Sequence, residues 1–172
     1  MKRLFIMDSK NYTDDMPHHV RPSARGIIFN ADNKIAMVHS LKYDYYKFPG
    51  GGIRSGEDNV QALIREVSEE TGLTVIPESV QEFGSVLRIQ LSQYEENTVF
   101  EQENFYYTCK VDSSLDSQHL DDYELDEGFT LEFVVPEHAI LVNRTHDHQD
   151  YDEKLIEREA LVLEYIINKV KI

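Results

Sequence analysis

Glu66, Glu69 and Glu70 stand at i, i+3 and i+4 within REVSEETG (65–72). In a helix that spacing projects three carboxylates from one face, and each like-charged pair repels by about 0.2–0.5 kcal/mol. Gly72 reads as the helix stop, so Glu69 and Glu70 fall in the last turn. There the macrodipole disfavours an anion by about 0.3–1 kcal/mol. Alone, such a run is a solvated acidic face. The segment in front changes the reading. FPGGGIRSGE (48–57) carries Gly50, Gly51, Gly52 and Gly56, enough for the backbone to turn sharply and approach a ligand. A glycine loop feeding an acidic helix gathers carbonyl and carboxylate oxygens, a donor set for a hard cation such as Mg²⁺ or Mn²⁺. A bound cation would turn the repulsion among the glutamates into attraction.

The elements that must position these residues can be read from periodicity. Val60, Leu63, Ile64 and Val67 form an i, i+3, i+4, i+7 stripe, which predicts an amphipathic helix over 58–71. Glu57 and Asp58 lie in its first turn, where the dipole favours anions. ARGIIF (24–29) and KIAMVHS (34–40) are expected to form a hairpin around residues 30–33. Further strands are expected at YYKF (45–48), LTVI (73–76), FGSVLRIQL (83–91), NFYYTCKV (104–111) and FTLEFVV (129–135). Helices follow at PEHAILVNRT (136–145) and from about 150 to 170. This order predicts a mixed α/β layer fold. No linker composition divides the chain, so residues 1–172 read as one domain, with an N-terminal arm or strand at 1–22 and a C-terminal helix at 150–172.

Composition narrows the partners. The net charge is −15, and residues 95–132 hold twelve Asp or Glu against one Lys. That balance argues against nucleic-acid polymers and anionic membranes. A polyphosphate ligand would need a cation between itself and this surface. The basic start before Asp8 is too short for a signal-peptide core, no apolar run is long enough to span a bilayer, and Cys109 is the sole cysteine. A cytoplasmic setting is expected.

The glycine loop and acidic helix together resemble a known family. Gly51, five residues, Glu57, seven residues, then Arg65-Glu66-Val67-Ser68-Glu69-Glu70-Thr71-Gly72-Leu73 fits G-x5-E-x7-R-E-U-x-E-E-x-G-U, the Nudix box, at nine specified positions over 23 residues. The resemblance implies a Nudix-type α/β/α sandwich with a mixed β-sheet. It also implies metal-dependent hydrolysis of a nucleoside diphosphate linked to another moiety, with Mg²⁺ or Mn²⁺ as cofactor. Glu66, Glu69 and Glu70 would then be metal ligands, with the Gly50 carbonyl as a further one. Glu57 would support the metal cluster through its waters or through Arg65, and Arg65 would fix the direction of a box glutamate. The base would be a box glutamate or one on a later loop, for which Glu127 in YELDEGF (123–129) is the candidate.

Tyr46, just before the glycine loop, is a candidate for stacking on a nucleobase. Arg54 departs from the acidic residue usual at its point in the family's loop and could contact a phosphate instead. Two other functions share the box. A ligand sensor without turnover is the alternative, although the box glutamates are complete. An isoprenoid diphosphate isomerase would need Cys109. Finally, Leu155, Ile156, Val162, Leu163, Ile166, Ile167 and Val170 give the last helix too many apolar residues for one stripe. A second exposed apolar patch, and through it or the N-terminal arm a homodimer, is expected.

Overall fold

Successive residues of a strand point to opposite faces of its sheet, and here both faces are apolar. Ile27, Met37 and Tyr106 belong to one core, whereas Ile28, Ala36 and Tyr107 belong to another. Such strands require helices on both sides. The computed structural model, which describes residues 1–170, has that arrangement. The chain runs β1 (Arg3–Asp8), β2 (His18–Val20), β3 (Ser23–Ile27), β4 (Ile35–Ser40), β5 (Tyr45–Lys47), β6 (Gly50–Gly52), α1 (Asn59–Thr71) and β7 (Leu73–Val75). It continues with β8 (Gln81–Leu91), β9 (Val99–Thr108), β10 (Val111–Leu115), α2 (Asp122–Glu127), β11 (Phe129–Val134), α3 (Pro136–Thr145) and α4 (Glu153–Val170).

The main sheet is mixed, in the order β1-β8-β9-β3-β6, with β2 also paired to β9. A smaller antiparallel sheet has the order β11-β4-β5, and β7 pairs with β10. Helix α1 covers one side through Ala62, Leu63 and Val67. Helices α3 and α4 cover the other through Ala139, Val142, Val162, Leu163 and Ile166. This is the α/β/α sandwich expected from the sequence.

Helix α1 is fixed at both ends by local chemistry. Asp58 accepts from the Gln61 N–H at 2.8 Å, and the Gln61 side chain accepts from the Asp58 N–H at 2.9 Å, a reciprocal capping box. Gly72 ends the helix in the left-handed region at φ +72°, and a Cβ there would lie 2.0 Å from the Asp116 carbonyl oxygen. Among the described residues no helix is long and apolar enough to cross a membrane.

Several expectations are corrected. The two strands read as a hairpin separate: β3 joins the main sheet and β4 the smaller one, linked by a single bridge between Phe29 and Ile35. Residues 1–22 supply two strands, β1 and β2, and the glycine loop itself is a strand, β6. Strand β9 ends at Thr108, so Cys109 lies in the two-residue link to β10. Residues 123–127 of YELDEGF lie in a short helix and not a loop, with Gly128 as its stop and Phe129 opening β11.

The surplus apolar residues of α4 are covered within the chain. Ile156, Val162, Leu163 and Ile166 are buried, Leu155 and Ile167 half-buried, and none of the large exposed apolar residues lies on this helix. The Val170 side chain and Lys171 lie outside the described residues. The second apolar patch that motivated a homodimer is therefore absent among the described residues. Light scattering at micromolar concentration should give a particle of 20.0 kDa; a particle of twice that mass would show that another surface associates.

Candidate active site

Glu70 lies three residues beyond Val67 and seven beyond Leu63, so it continues the inward stripe of α1 and not its wet face. It is buried, and its carboxylate accepts from Lys47 Nζ at 2.6 Å and from the Gly50 N–H at 2.9 Å. Burial pushes its carboxyl up to about 7, against the pull of Lys47 and the Gly50 N–H; the charge of Glu124 adds to the rise.

The other three acidic residues gather on Arg65. Its Nε donates to Glu57 Oε1 at 2.5 Å and its Nη2 to Glu57 Oε2 at 2.8 Å. Nη1 donates to Glu66 at 2.6 Å and to Glu69 at 3.0 Å, and Nη2 also reaches the Gly52 carbonyl at 3.1 Å. Hydrogen bonding to Arg65, with help from the Arg54 N–H, holds the Glu57 carboxyl down at about 2. The repulsion legible in the sequence is thus met here by Arg65 and Lys47. Among the described residues no three His, Cys, Asp or Glu side chains converge as a ready-made metal site.

Strand β6 brings the glycines against this cluster. Gly50 has φ +141°, and a Cβ there would lie 2.2 Å from the Ala24 carbonyl oxygen. A Cβ on Gly51 would lie 2.4 Å from Glu66 Oε2, so the Glu66 carboxylate rests directly on the glycine backbone. The Gly50 carbonyl accepts from Arg25 Nη1 at 3.3 Å. Carboxylates beside a bare strand, all oxygen donors, fit a hard divalent cation in chemistry. The side chains as placed are held by Arg65 and Lys47.

The remaining sequence candidates fall at different places. Arg54 is exposed at the rim, with Nη2 3.6 Å from Glu69 Oε2. Glu127 is buried at the end of α2; its Oε2 accepts from Ser40 Oγ at 3.2 Å and from the Tyr45 hydroxyl at 3.1 Å. Burial raises its carboxyl above the ordinary range, and Tyr45 and Ser40 moderate the rise. Tyr46 is not a stacking platform. It is 3% exposed, stacked on His39 at 4.4 Å, and its hydroxyl donates to Glu132 at 2.9 Å. Strand register decided this, because Lys47 and not Tyr46 takes the face toward Glu70. Cys109 packs with Leu63 and Val67 in the core beneath α1, and burial pushes its thiol up to about 12. That is no position for isomerase chemistry.

Beside the glycines opens a cleft of about 500 Å³. Its lining includes Arg21, Arg25, Lys47 and Arg88, with Tyr94, Phe100, Tyr123 and Tyr151 as aromatic walls. Sequence reasoning missed these cations because they are scattered over the chain and meet only in the fold. Lys47 alone left a signal, as a lysine inside a short apolar strand needs a buried partner. Glu124, which YELDEGF offers beside Glu127, is also drawn in. It is 4% exposed and accepts from the Tyr123 hydroxyl at 2.8 Å, and its charge reaches Glu70.

Comparisons with known proteins bear on the family and the fold. The family model of the NUDIX domain matches residues 19–158. A protein of Stenotrophomonas maltophilia named RNA pyrophosphohydrolase is 27% identical over 140 residues, covering 74% of this chain and 67% of its own. A protein of the same name from Xanthomonas campestris pv. campestris is 28% identical over 140 residues, with the same coverage. Among solved structures, a NUDIX hydrolase from Nitrosomonas europaea superposes with a TM-score of 0.59 at 18% identity, covering 86% of this chain and 90% of that one. This last likeness is one of fold.

The Arg65 clasp has a pH signature. The Glu57 carboxyl is held at about 2, below its ordinary value of 4.5. Its contribution to stability is therefore present above the ordinary value and is lost as pH falls toward the lowered one. In a Glu57→Gln variant followed by calorimetry, the melting midpoint should fall below wild type at neutral pH, and the gap should close toward pH 2. A gap independent of pH would remove Glu57 from the clasp.

Proposed function

Since the chain belongs to the NUDIX family and is a pyrophosphohydrolase of it, we propose that it hydrolyses the phosphoanhydride bond of a nucleoside diphosphate linked to another moiety, with Mg²⁺ or Mn²⁺ as cofactor. The observation that carries this reading is the contact of β6 with α1, where Gly51 lies against the Glu66 carboxylate and the Gly50 N–H meets Glu70. Glu66, Glu69, Glu70 and the Gly50 carbonyl would hold the cation, and Glu57 would support it through Arg65. The cation, when bound, supplies neutralisation of the pyrophosphate oxygens and a more acidic water.

The chain's own residues supply the rest. Lys47 and Arg25, both on the cleft wall beside the glycines, draw the phosphates toward this end of the cleft. Arg65 keeps Glu57, Glu66 and Glu69 oriented toward the glycine strand. The proton of the attacking water would go to a carboxylate of α2, for which Glu127 is the proposal. Burial raises its carboxyl above the ordinary range, the direction that makes a carboxylate a better proton acceptor. Glu124, nearer the box helix in its electrostatic reach, is the comparison. The substrate is a small nucleotide derivative in this reading. Because the relatives are named RNA pyrophosphohydrolase, RNA belongs in the substrate panel.

Two measurements test this. Millimolar Mg²⁺ or Mn²⁺ should raise the melting midpoint relative to chelator by mass action, and the double variant Glu66→Gln/Glu70→Gln should lose that rise. An equal rise in the variant would put the metal elsewhere. Phosphate release should be assayed with nucleoside triphosphates, dinucleoside polyphosphates, nucleotide sugars, ADP-ribose and RNA. On the best of these, Glu70→Gln should cut turnover by orders of magnitude, and Glu127→Gln by roughly 10²–10⁴. A near wild-type rate for Glu127→Gln, with a collapse in Glu124→Gln, would move the base one helical turn back.

A further inference from the structure

Three arginines meet beneath the cleft with too little negative charge to match them. Arg158 is fully buried, bonded to Glu159 and donating to Asn104 at 2.9 Å and Gln102 at 3.2 Å. Arg25, 5% exposed, donates to Asn104 at 3.4 Å and to the Phe48 and Gly50 carbonyls at 3.3 Å; its nearest carboxylate, Glu159, is 4.0 Å away and already held by Arg158. Arg88, 3% exposed, pairs with Asp152 and donates to Gln90 at 3.2 Å. Among the described residues, Arg25, Arg88 and Arg158 therefore face only Glu159 and Asp152, an excess of one positive charge inside a chain whose net charge is −15. Burying a cation without a counter-charge is costly unless something else supplies it. Burial lowers the Arg88 pKa; Asp152 opposes the fall, while the like charges of Arg158 and Arg25 reinforce it.

The free valences point outward. Arg25 Nη2 and Arg88 Nη1 make no hydrogen bond among the described residues, where the one sealed side-chain polar atom without a partner is the Tyr106 hydroxyl. Both guanidinium ends are thus open to the cleft their residues line. Arg25 lies beside the glycines, paired with Gly50 across β3 and β6, whereas Arg88 does not. From β6 the sheet runs through β3 and β9 to β8, so Arg88 lies three strand spacings, roughly 14 Å, from the glycines. That exceeds the span of a pyrophosphate and suits the length of a nucleotide. We propose that Arg88 forms a second anion subsite at the far end of the cleft, which takes a phosphate carried by the substrate away from its pyrophosphate, as on the ribose. This rests on reading the glycine strand as the pyrophosphate end. The planar fork of arginine matches a phosphate in two parallel hydrogen bonds.

Calorimetric titration in chelator separates this from the hydrolytic reading, whose own failure would be an absence of phosphate release from every substrate. The probes are AMP, adenosine 3′,5′-bisphosphate and adenosine 2′,5′-bisphosphate. Wild type should bind one bisphosphate roughly ten- to a hundredfold more tightly than AMP, and which one locates the phosphate on the ribose. Arg88→Gln should bring that ratio to about one. Asp152→Asn keeps a helix-capping side chain at the start of α4 but removes the competing carboxylate, so it should widen the ratio, the reverse of a merely structural loss. Equal affinities for the three ligands in wild type, or a preference that survives Arg88→Gln, overturns the subsite. If Arg88→Gln does not fold, Asp152→Asn decides: a wider ratio supports the subsite and an unchanged one overturns it.

Discussion

A carboxylate inside a protein is tolerable only if its charge is answered where it sits, and Glu70 imposes that condition on three elements at once. Its two oxygens are held by Lys47 of β5 and by the Gly50 N–H of β6. Removing one partner of such a buried pair costs about 3–5 kcal/mol, because the other is left uncompensated. The position of α1 against both sheets is therefore tied to one electrostatic contact. The placement of Glu66 follows from it, since the helix that sets Glu70 under Gly50 also lays Glu66 on Gly51.

The parts of the site written in consecutive residues were legible, and those assembled from distant ones were not. Helix α1 could be read because its apolar stripe, cap and stop lie within a few turns of one another. The burial of Glu70 was also implicit in that stripe, but three glutamates at helical spacing drew attention to their shared face. The hairpin at 24–40 was misread because both strands are apolar on both faces. Their pattern left open whether they would stay paired or part into different sheets, and it is the helical layers on each side that require them to part. Tyr46 was misplaced for want of register: a shift of one residue exchanges the faces of a strand. Strand β6 was hidden because three glycines carry no strand preference of their own. The cleft cations had no local signature, as Arg21, Arg25, Lys47 and Arg88 come from separate segments.

Helix α4 shows how a composition count can mislead. It holds enough apolar residues to suggest two greasy faces, yet part of its buried length is the ion pair of Arg158 and Glu159. Burial would raise the Glu159 carboxyl, but Arg158 and Arg25 outweigh it and hold it below its ordinary value. Its other oxygen accepts from the Phe48 N–H at 3.1 Å. A helix that looked like an interface is instead a support for the cleft floor.

That last hydrogen bond lies at a short bridge between the two sheets. Only Phe48 and Pro49 separate β5 in the smaller sheet from β6 in the main one. Both are pinned, Phe48 through its N–H by Glu159 and Pro49 through its carbonyl by the Gly26 N–H at 2.8 Å. The two sheets cannot shear past each other without pulling Lys47 away from Gly50, and so without opening the grip on Glu70. The seam is then a rivet and not a hinge: heat or denaturant that loosens the sheets should release Glu70 in the same cooperative event.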